Sequence, residues 1–169
     1  LRVLDLGTGS GAIALALAHE RGTWEVTAID RSSAALEIAR ANAARLDLGR
    51  VRFLQGDWFA PLVGERFDLI ASNPPYVAAD DPVLQGDSLR HEPHAALTPG
   101  ADALAALRCI VEAAPVYLAP QGTLLLEHGH DQGPAVRALL VQRGFTHVVS
   151  HPDLAGHERV TRGSLPGDL

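Results

Sequence analysis

Short apolar segments rich in β-branched residues alternate with Ala- and Leu-rich segments through most of this 169-residue chain. This alternation is typical of a parallel sheet covered by helices on both faces. The predicted strands are residues 2–6, 25–29, 51–55, 67–72, 123–127, 145–150 and 158–161. The predicted helices are residues 11–19, 33–46, 101–117 and 132–143, and Ser33 is a plausible cap of the second. We therefore expect one α/β domain over residues 1–169.

Charge and composition exclude several classes of protein. The formal net charge is −6, so the summed field repels phosphate backbones and a dedicated duplex binder is not expected. Cys109 is the sole cysteine and cannot form an internal disulfide; we expect it in the core as an inert thiol. No apolar run approaches the ~20 residues of a membrane span. The sequence contains no Met, so we expect a piece of a longer, soluble, cytoplasmic protein.

A glycine-rich run closes the first predicted strand and opens the first predicted helix. It reads Asp5-Leu6-Gly7-Thr8-Gly9-Ser10-Gly11. Its glycines permit a tight turn and close approach of the backbone to a ligand. The run also fits the dinucleotide pattern G-x-G-x-x-A through Gly7, Gly9 and Ala12, with Asp30 about twenty residues on. A nicotinamide enzyme and a tight turn that holds no ligand therefore stay open as alternatives.

Acidic residues follow the next two predicted strands. Asp30 can accept hydrogen bonds from both hydroxyls of a ribose, or it can cap the helix that follows. Asp57 can accept from an adenine amino group and Trp58 can cover the ring, although an interfacial aromatic is an equal alternative. Asp5, Asp30 and Asp57 place three acidic side chains along one edge, which suits a cationic sulfonium better than a pyrophosphate. The balance favours S-adenosylmethionine as the cofactor, with S-adenosylhomocysteine as its product.

The tetrapeptide Asn73-Pro74-Pro75-Tyr76 directly follows the fourth predicted strand and begins a proline-rich loop over residues 73–100. Asn73 offers a side-chain carbonyl, and the prolines stiffen the turn so that main-chain carbonyls can face inward. Two such acceptors can hold and orient one NH2 group, while Tyr76 packs against a planar amide or base. The alternative interpretation is an Asn-Pro turn that leaves the strand and has no function. The motif alone does not separate adenine or cytosine amines from a glutamine amide.

Further motifs in the same order carry a resemblance to a known family. They are Glu92-Pro93 with Ala96-Leu97, Gly100-Ala101-Asp102, Leu126-Glu127-His128-Gly129 with Gln132, and Asp153-Leu154-Ala155-Gly156-His157-Glu158-Arg159. With the glycine-rich run and the Asn-Pro-Pro-Tyr turn, they make the chain resemble the HemK/PrmC family of release-factor glutamine methyltransferases over nearly its whole length. Pro99 and Ala103 stand where that family often has glycine.

The resemblance implies a Rossmann-like, doubly wound methyltransferase fold with seven mostly parallel strands and an antiparallel last strand. It implies methyl transfer to the Gln of the Gly-Gly-Gln loop of peptide-chain release factors, on or near the ribosome. It places the methionine part of the cofactor on residues 7–11, the ribose on Asp30 and the adenine near Asp57 and Trp58. It assigns the substrate amide to residues 73–76, with Asn73, Pro74 and Tyr76 catalytic and Asn73 also among the cofactor-binding residues. The family's N-terminal helical domain, which helps to hold the release factor, has no counterpart among these residues.

Three rival functions are less favoured. The net charge and the lack of a target-recognition region disfavour a nucleic-acid amino methyltransferase. A nicotinamide oxidoreductase leaves residues 73–76 unexplained, and the intact motifs count against a non-catalytic cofactor-binding subunit.

His128, His130 and Asp131 are interpreted as a polar turn at a strand end, so no metal site is expected. Four arginines receive no role from sequence: Arg137, Arg143, Arg159 and Arg162.

Overall fold

The computed structural model describes residues 1–82 and 97–167. Its strands are β1 (Arg2–Leu6), β2 (Glu25–Asp30), β3 (Arg52–Gln55), β4 (Phe67–Ser72), β5 (Leu118–Glu127), β6 (Thr146–Pro152) and β7 (Glu158–Ser164). Its helices are α1 (Ala12–Glu20), α2 (Ser33–Arg45), α3 (Ala105–Tyr117) and α4 (Gly133–Gln142). None of the helices in these ranges is long and apolar enough to cross a membrane.

The seven strands of the described residues form a sheet in the order β3-β2-β1-β4-β5-β7-β6. The pairs from β3 to β5 are parallel, whereas β7 runs antiparallel to both β5 and β6. The strand order reverses at β1, which has β2 on one side and β4 on the other. Ligands of open α/β sheets bind at such a reversal, beyond the carboxyl ends of the strands. The predicted fold, including its antiparallel last strand, is confirmed.

The sheet separates two apolar cores, as expected when helices cover both of its faces. Val3 packs with Ala14 and Leu15 of α1 on one face. The next residue of β1, Leu4, belongs to the opposite cluster, which contains Leu107 of α3. Successive side chains of a strand point to opposite faces, so these neighbouring apolar residues of β1 are both buried. The sheet is thereby held as a rigid platform for the loops at its carboxyl edge.

Two local predictions were wrong. The cap of α2 is Ser32, not Ser33, because the Ser32 Oγ accepts the backbone N–H of Ala35 at 3.2 Å. Cys109 is exposed rather than buried in the core. The buried face of α3 follows the helical spacing through Ala106, Leu107, Ile110, Val111 and Ala114, and position 109 lies off that face.

β5 and β7 extend well beyond their predicted bounds, whereas β2 and β6 are longer by one residue each. β5 begins at Leu118 rather than at residue 123, because Leu118 already pairs with Phe67 of β4. The register of the two strands then shifts, and regular pairing resumes where Leu69 pairs with Thr123. β7 continues to Ser164 because it pairs with β5 as far as Thr123. Both extensions come from pairing with a distant strand rather than from the local apolar pattern.

Candidate active site

The glycine loop, residues 7–11, connects β1 to α1 at the point where the strand order reverses. The N–H and the hydroxyl of Thr8 are both occupied by hydrogen bonds within the protein. The backbone N–H donates to the Ile29 carbonyl at 2.9 Å, and the hydroxyl donates to Asp5 Oδ2 at 2.6 Å. Gly9 has a φ of 56°, and no atom lies within 4 Å of the place a Cβ would occupy. The loop is therefore anchored through Thr8 and open to a ligand at Gly9.

Asp5 lies fully buried beneath the glycine loop. Its Oδ2 accepts hydrogen bonds from the Thr8 hydroxyl and from the Ala14 backbone N–H, whereas Oδ1 has no partner. Burial raises the pKa of this carboxyl to about 6, despite the two donors, and the charge of Asp30 adds to the rise. The site thus contains a buried acceptor oxygen whose hydrogen-bonding capacity is not used by the described residues.

Asp30 joins the glycine loop to the start of α2. Its Oδ2 accepts the backbone N–H of Gly9 at 2.8 Å, and its Oδ1 accepts that of Ser32 at 2.9 Å. The alternative that Asp30 caps α2 is wrong, because Ser32 is the cap. Asp30 is half-buried at the end of β2, and each carboxylate oxygen keeps lone pairs for further donors such as hydroxyl groups.

A cavity of about 570 Å³ lies at the carboxyl edge of the sheet. Its walls include Asp57 and Trp58 from the segment after β3, and Pro75 from the turn after β4. The remaining lining residues are Arg31, Ala79, Thr98, Pro99, Gly100, Ala105 and Ala106. This volume lies in the range of small-molecule sites. The cavity therefore brings residues predicted to hold an adenine together with the predicted acceptor turn.

Trp58 is held in a conformation that few tryptophans adopt. Its φ is 46°, a left-handed backbone that costs energy for a bulky residue and is often found at functional sites. The indole Cζ3 lies 3.6 Å from the position a Cβ would take on Gly7. The edge of the indole ring is thereby placed directly beside the glycine loop. This contact joins the ends of β1 and β3 on one side of the cavity.

The acceptor turn, residues 73–76, leaves β4 next to the glycine loop. Ser72, the last residue of β4, donates its hydroxyl to the Leu6 carbonyl at 2.7 Å and so fixes the ends of β4 and β1 together. Asn73 is exposed, Pro74 is buried, and Tyr76 is half-buried. Asn73 is thus a solvent-accessible polar side chain next to a buried proline, whose ring restricts the backbone of the turn. A molecule arriving from solvent can reach it.

Two residues that sequence reasoning left without a role hold Tyr76 in place. The Gln132 Nε2 donates to the Tyr76 carbonyl at 2.9 Å. The Tyr76 hydroxyl donates to Glu127 Oε1 at 3.4 Å. Burial raises the pKa of Tyr76, and the nearby charge of Glu127 raises it further. Glu127 and Gln132 are both part of the motif Leu126-Glu127-His128-Gly129 with Gln132, which contributed to the family resemblance. That motif was the only sequence signal that pointed to these two residues.

The polar turn after β5 does not gather its side chains at one point. His128 is buried, and its Nε2 lies 2.7 Å from the Thr161 hydroxyl of β7. His130 is exposed and meets the His157 ring edge-on at 5.8 Å between centroids. Among residues 1–82 and 97–167, no three His, Cys, Asp or Glu side chains form a group that could hold a metal ion. The absence of a metal site stays a prediction.

Comparison with known sequences decides the family. The sequence model of a methyltransferase domain matches residues 1–152, most of the chain. The chain belongs to this methyltransferase domain family. The membership agrees with the glycine loop at the strand reversal and with the seven-stranded sheet described above.

Relatives of this methyltransferase domain carry a specific name. It is 54% identical to the release factor glutamine methyltransferase of Xylella fastidiosa over 98% of this chain and 60% of that protein. The protein of the same name from Burkholderia pseudomallei is 53% identical, with the same coverage. A methyltransferase structure from Pyrococcus furiosus superimposes with a TM-score of 0.72 at 22% identity, over 98% of this chain and 75% of that one, and shows the fold alone. The chain spans about 60% of the length of these two curated relatives.

Proposed function

We propose that this domain transfers a methyl group from S-adenosylmethionine to the side-chain amide nitrogen of the Gln in the Gly-Gly-Gln loop of peptide-chain release factors. The reaction would take place in the cytoplasm, on or near the ribosome. The observation that carries the proposal is the cavity lined both by Trp58 beyond β3 and by Pro75 of the acceptor turn. The name shared by the curated relatives supports the choice of acceptor.

The residues around the glycine loop fit S-adenosylmethionine. Gly9 leaves open space above the loop, and the unpartnered oxygen of buried Asp5 suits a cationic ligand beside it. Asp30 would accept hydrogen bonds from the ribose hydroxyls. Trp58 would cover one face of the adenine and Asp57 would accept from its amino group. Polar groups of the loop on Gly7 and Ser10 would hold the methionine part, because those of Thr8 and Gly11 are engaged in the hydrogen bonds that shape the loop.

The acceptor turn fits a planar amide. The cofactor supplies an electrophilic methyl group, so the protein has to align a poorly nucleophilic nitrogen and keep water away. The side-chain carbonyl of Asn73 and the main-chain carbonyl of Pro74 would accept the two N–H groups of the substrate amide. Tyr76 would pack on the amide plane and Pro75 would stiffen the turn. The proton displaced from the methylated nitrogen would pass to water.

The test is a transfer assay with S-adenosylmethionine labelled in its methyl group. The acceptors are a release factor, the same factor with its Gly-Gly-Gln glutamine changed to Ala, and bulk ribosomal RNA. We expect label only on the unchanged factor, and none from the Asn73→Ala enzyme. Label on the RNA would overturn the glutamine proposal in favour of a base amine. Cofactor binding by calorimetry without label on any acceptor would favour a non-catalytic cofactor-binding role.

A further inference from the structure

We propose that Gln132 is a positioning residue for methyl transfer, which fixes the acceptor turn through the main-chain carbonyl of Tyr76. The proposal rests on the proposed function above and assigns that site a further residue. Gln132 stands between β5 and α4, more than fifty residues from the turn in sequence. Its side chain is half-buried, so its hydrogen bonds are partly shielded from water.

Both ends of the Gln132 amide are engaged. Oε1 accepts the backbone N–H of Gly129 at 2.9 Å, and Nε2 donates to the Tyr76 carbonyl at 2.9 Å. The backbone N–H of Gln132 in turn donates to the Gly129 carbonyl at 3.0 Å. The Gly129 bond orients the amide so that its NH2 group points at the acceptor turn. One side chain therefore ties the loop after β5 to the loop after β4.

This arrangement is not ordinary support for a helix. Gln132 occupies the position before α4, where a side chain commonly caps the free N–H groups of the first turn. No side-chain cap is made at that position. The amide is used instead on Gly129 and Tyr76, the second of which belongs to the acceptor turn.

Gly129 provides independent support. A Cβ on this residue would lie 3.1 Å from Gln132 Cδ and 3.2 Å from Gln132 Oε1. Because these contacts are tighter than ordinary packing, a Cβ at position 129 would require the Gln132 amide, and the Asp131 carboxylate at 3.2 Å, to give by a few tenths of an ångström. The absence of a side chain at position 129 is thus matched to the placement of the Gln132 amide.

The consequence for the reaction follows from the geometry of the turn. Tyr76 is held at its carbonyl by Gln132 at 2.9 Å, and its hydroxyl makes a longer contact of 3.4 Å with Glu127, so the bond from Gln132 is the shorter of the two restraints. The carbonyl of Pro74 lies two residues earlier in the same stiff turn. Loss of the Gln132 bond loosens this turn, which lowers the rate of the aligned reaction more than it affects the distant cofactor residues.

The decisive variant is Gln132→Glu. A carboxylate keeps the acceptor for the Gly129 N–H but replaces the NH2 donor by a second oxygen, so it loses the bond to the Tyr76 carbonyl and opposes that carbonyl with a like charge. We expect kcat for a release factor carrying the Gly-Gly-Gln loop to fall by roughly ten-fold, as for the loss of one partly buried hydrogen bond of ~1.4 kcal/mol. The Kd for S-adenosylmethionine should stay unchanged. Gln142→Glu, at the exposed last residue of α4, is the matched control and should behave as wild type.

A pH profile separates positioning from structural support. When the introduced carboxyl is protonated, its O–H can donate to the Tyr76 carbonyl, so the ratio of variant to wild-type kcat should rise as the pH falls. The ionisable groups on the segments around this position are Tyr76, Glu127, His128, His130, Asp131, Arg137, His157, Glu158 and Arg159. Taking the ratio to wild type removes the contribution that these groups make to both enzymes.

The outcomes distinguish this inference from the proposed function. A wild-type enzyme that does not label the release factor overturns the function itself. A wild-type enzyme that labels it, together with a Gln132→Glu variant of equal kcat, overturns the role of Gln132. A reduced kcat whose ratio to wild type does not change with pH also contradicts it. Gly129→Ala, with the amide displaced rather than replaced, should lower kcat in the same direction without changing the Kd for S-adenosylmethionine.

Discussion

The carboxylate of Asp30 at the end of β2 accepts the backbone N–H of Gly9 in the glycine loop at 2.8 Å. Its second oxygen accepts the N–H of Ser32 at the entrance to α2. One side chain thus fixes the relative positions of two loops that border the proposed cofactor site. In this arrangement Asp30 shapes the loop and can also contact a ribose.

Asp30→Asn should weaken the binding of S-adenosylmethionine by roughly ten- to a hundred-fold, the range for hydrogen bonds to a charged group. The amide keeps one acceptor oxygen, so it cannot serve Gly9, Ser32 and both ribose hydroxyls. Isothermal titration calorimetry measures the change. Glu37→Gln, an exposed carboxylate in α2, is the charge-matched control and should bind as wild type. Equal affinity for wild type and Asp30→Asn would remove Asp30 from the site.

Asp5 should make the domain less stable as the pH rises from about 4 to about 6. Its pKa is raised from 3.8 to about 6 in the folded protein, so over this interval the folded state binds more protons than the unfolded state. Stability therefore falls with rising pH, by up to ~3 kcal/mol for a shift of about two units. Below pH 4 both states are protonated and the loss is absent.

Asp5→Asn should remove this dependence, because an uncharged amide has no such titration. Urea unfolding of both proteins between pH 4 and pH 7 gives the difference in unfolding free energy. We expect the unfolding free energy of Asp5→Asn to increase relative to that of wild type as the pH rises, with most of the increase complete by pH 7. Two curves that run parallel over this interval would show that Asp5 titrates at an ordinary pKa.

The strands of the sheet were predictable where the chain is buried on both faces. β1 and β4 have the predicted bounds because their apolar runs end at strong signals, the glycine loop after Leu6 and Asn73 after Ser72. The early start of β5 was not predictable, because Pro120, Gln121 and Gly122 have the composition of a turn. Gln121 in fact adopts a φ of 62° within the irregular part of the strand.

The site was predictable to the extent that its residues lie at strand ends. Asp30 is the last residue of a parallel strand, and Trp58 and Asn73 follow such strands, whose carboxyl ends share one edge of the sheet. The bridge from Gln132 to Tyr76 was not predictable, because it depends on how the loops after β4 and β5 approach each other. No local pattern reports which carbonyl a glutamine will reach.

Asn73→Ala should lower kcat for a release factor by at least about a hundred-fold, since it removes an acceptor that orients the substrate nitrogen. The affinity for S-adenosylmethionine should change far less than kcat, because the glycine loop is anchored independently through Thr8 and Asp30. Single-turnover transfer of labelled methyl gives the rate, and calorimetry gives the affinity. A variant with wild-type rate would rule out the acceptor turn as the substrate site.

Ser32→Ala should destabilise the domain by ~1 kcal/mol, the usual cost of losing an N-terminal cap. The reason is that Ser32 Oγ accepts the Ala35 N–H, which lies in the first turn of α2 and has no acceptor within the helix. The neighbouring Ser33→Ala is the matched control: Ser33 is exposed and lies within the helix, where Ala is at least as favourable. Thermal unfolding should therefore place the midpoint of Ser32→Ala ~2–4 °C below that of Ser33→Ala. The reverse order would show that Ser33 is the cap and that α2 begins one residue later.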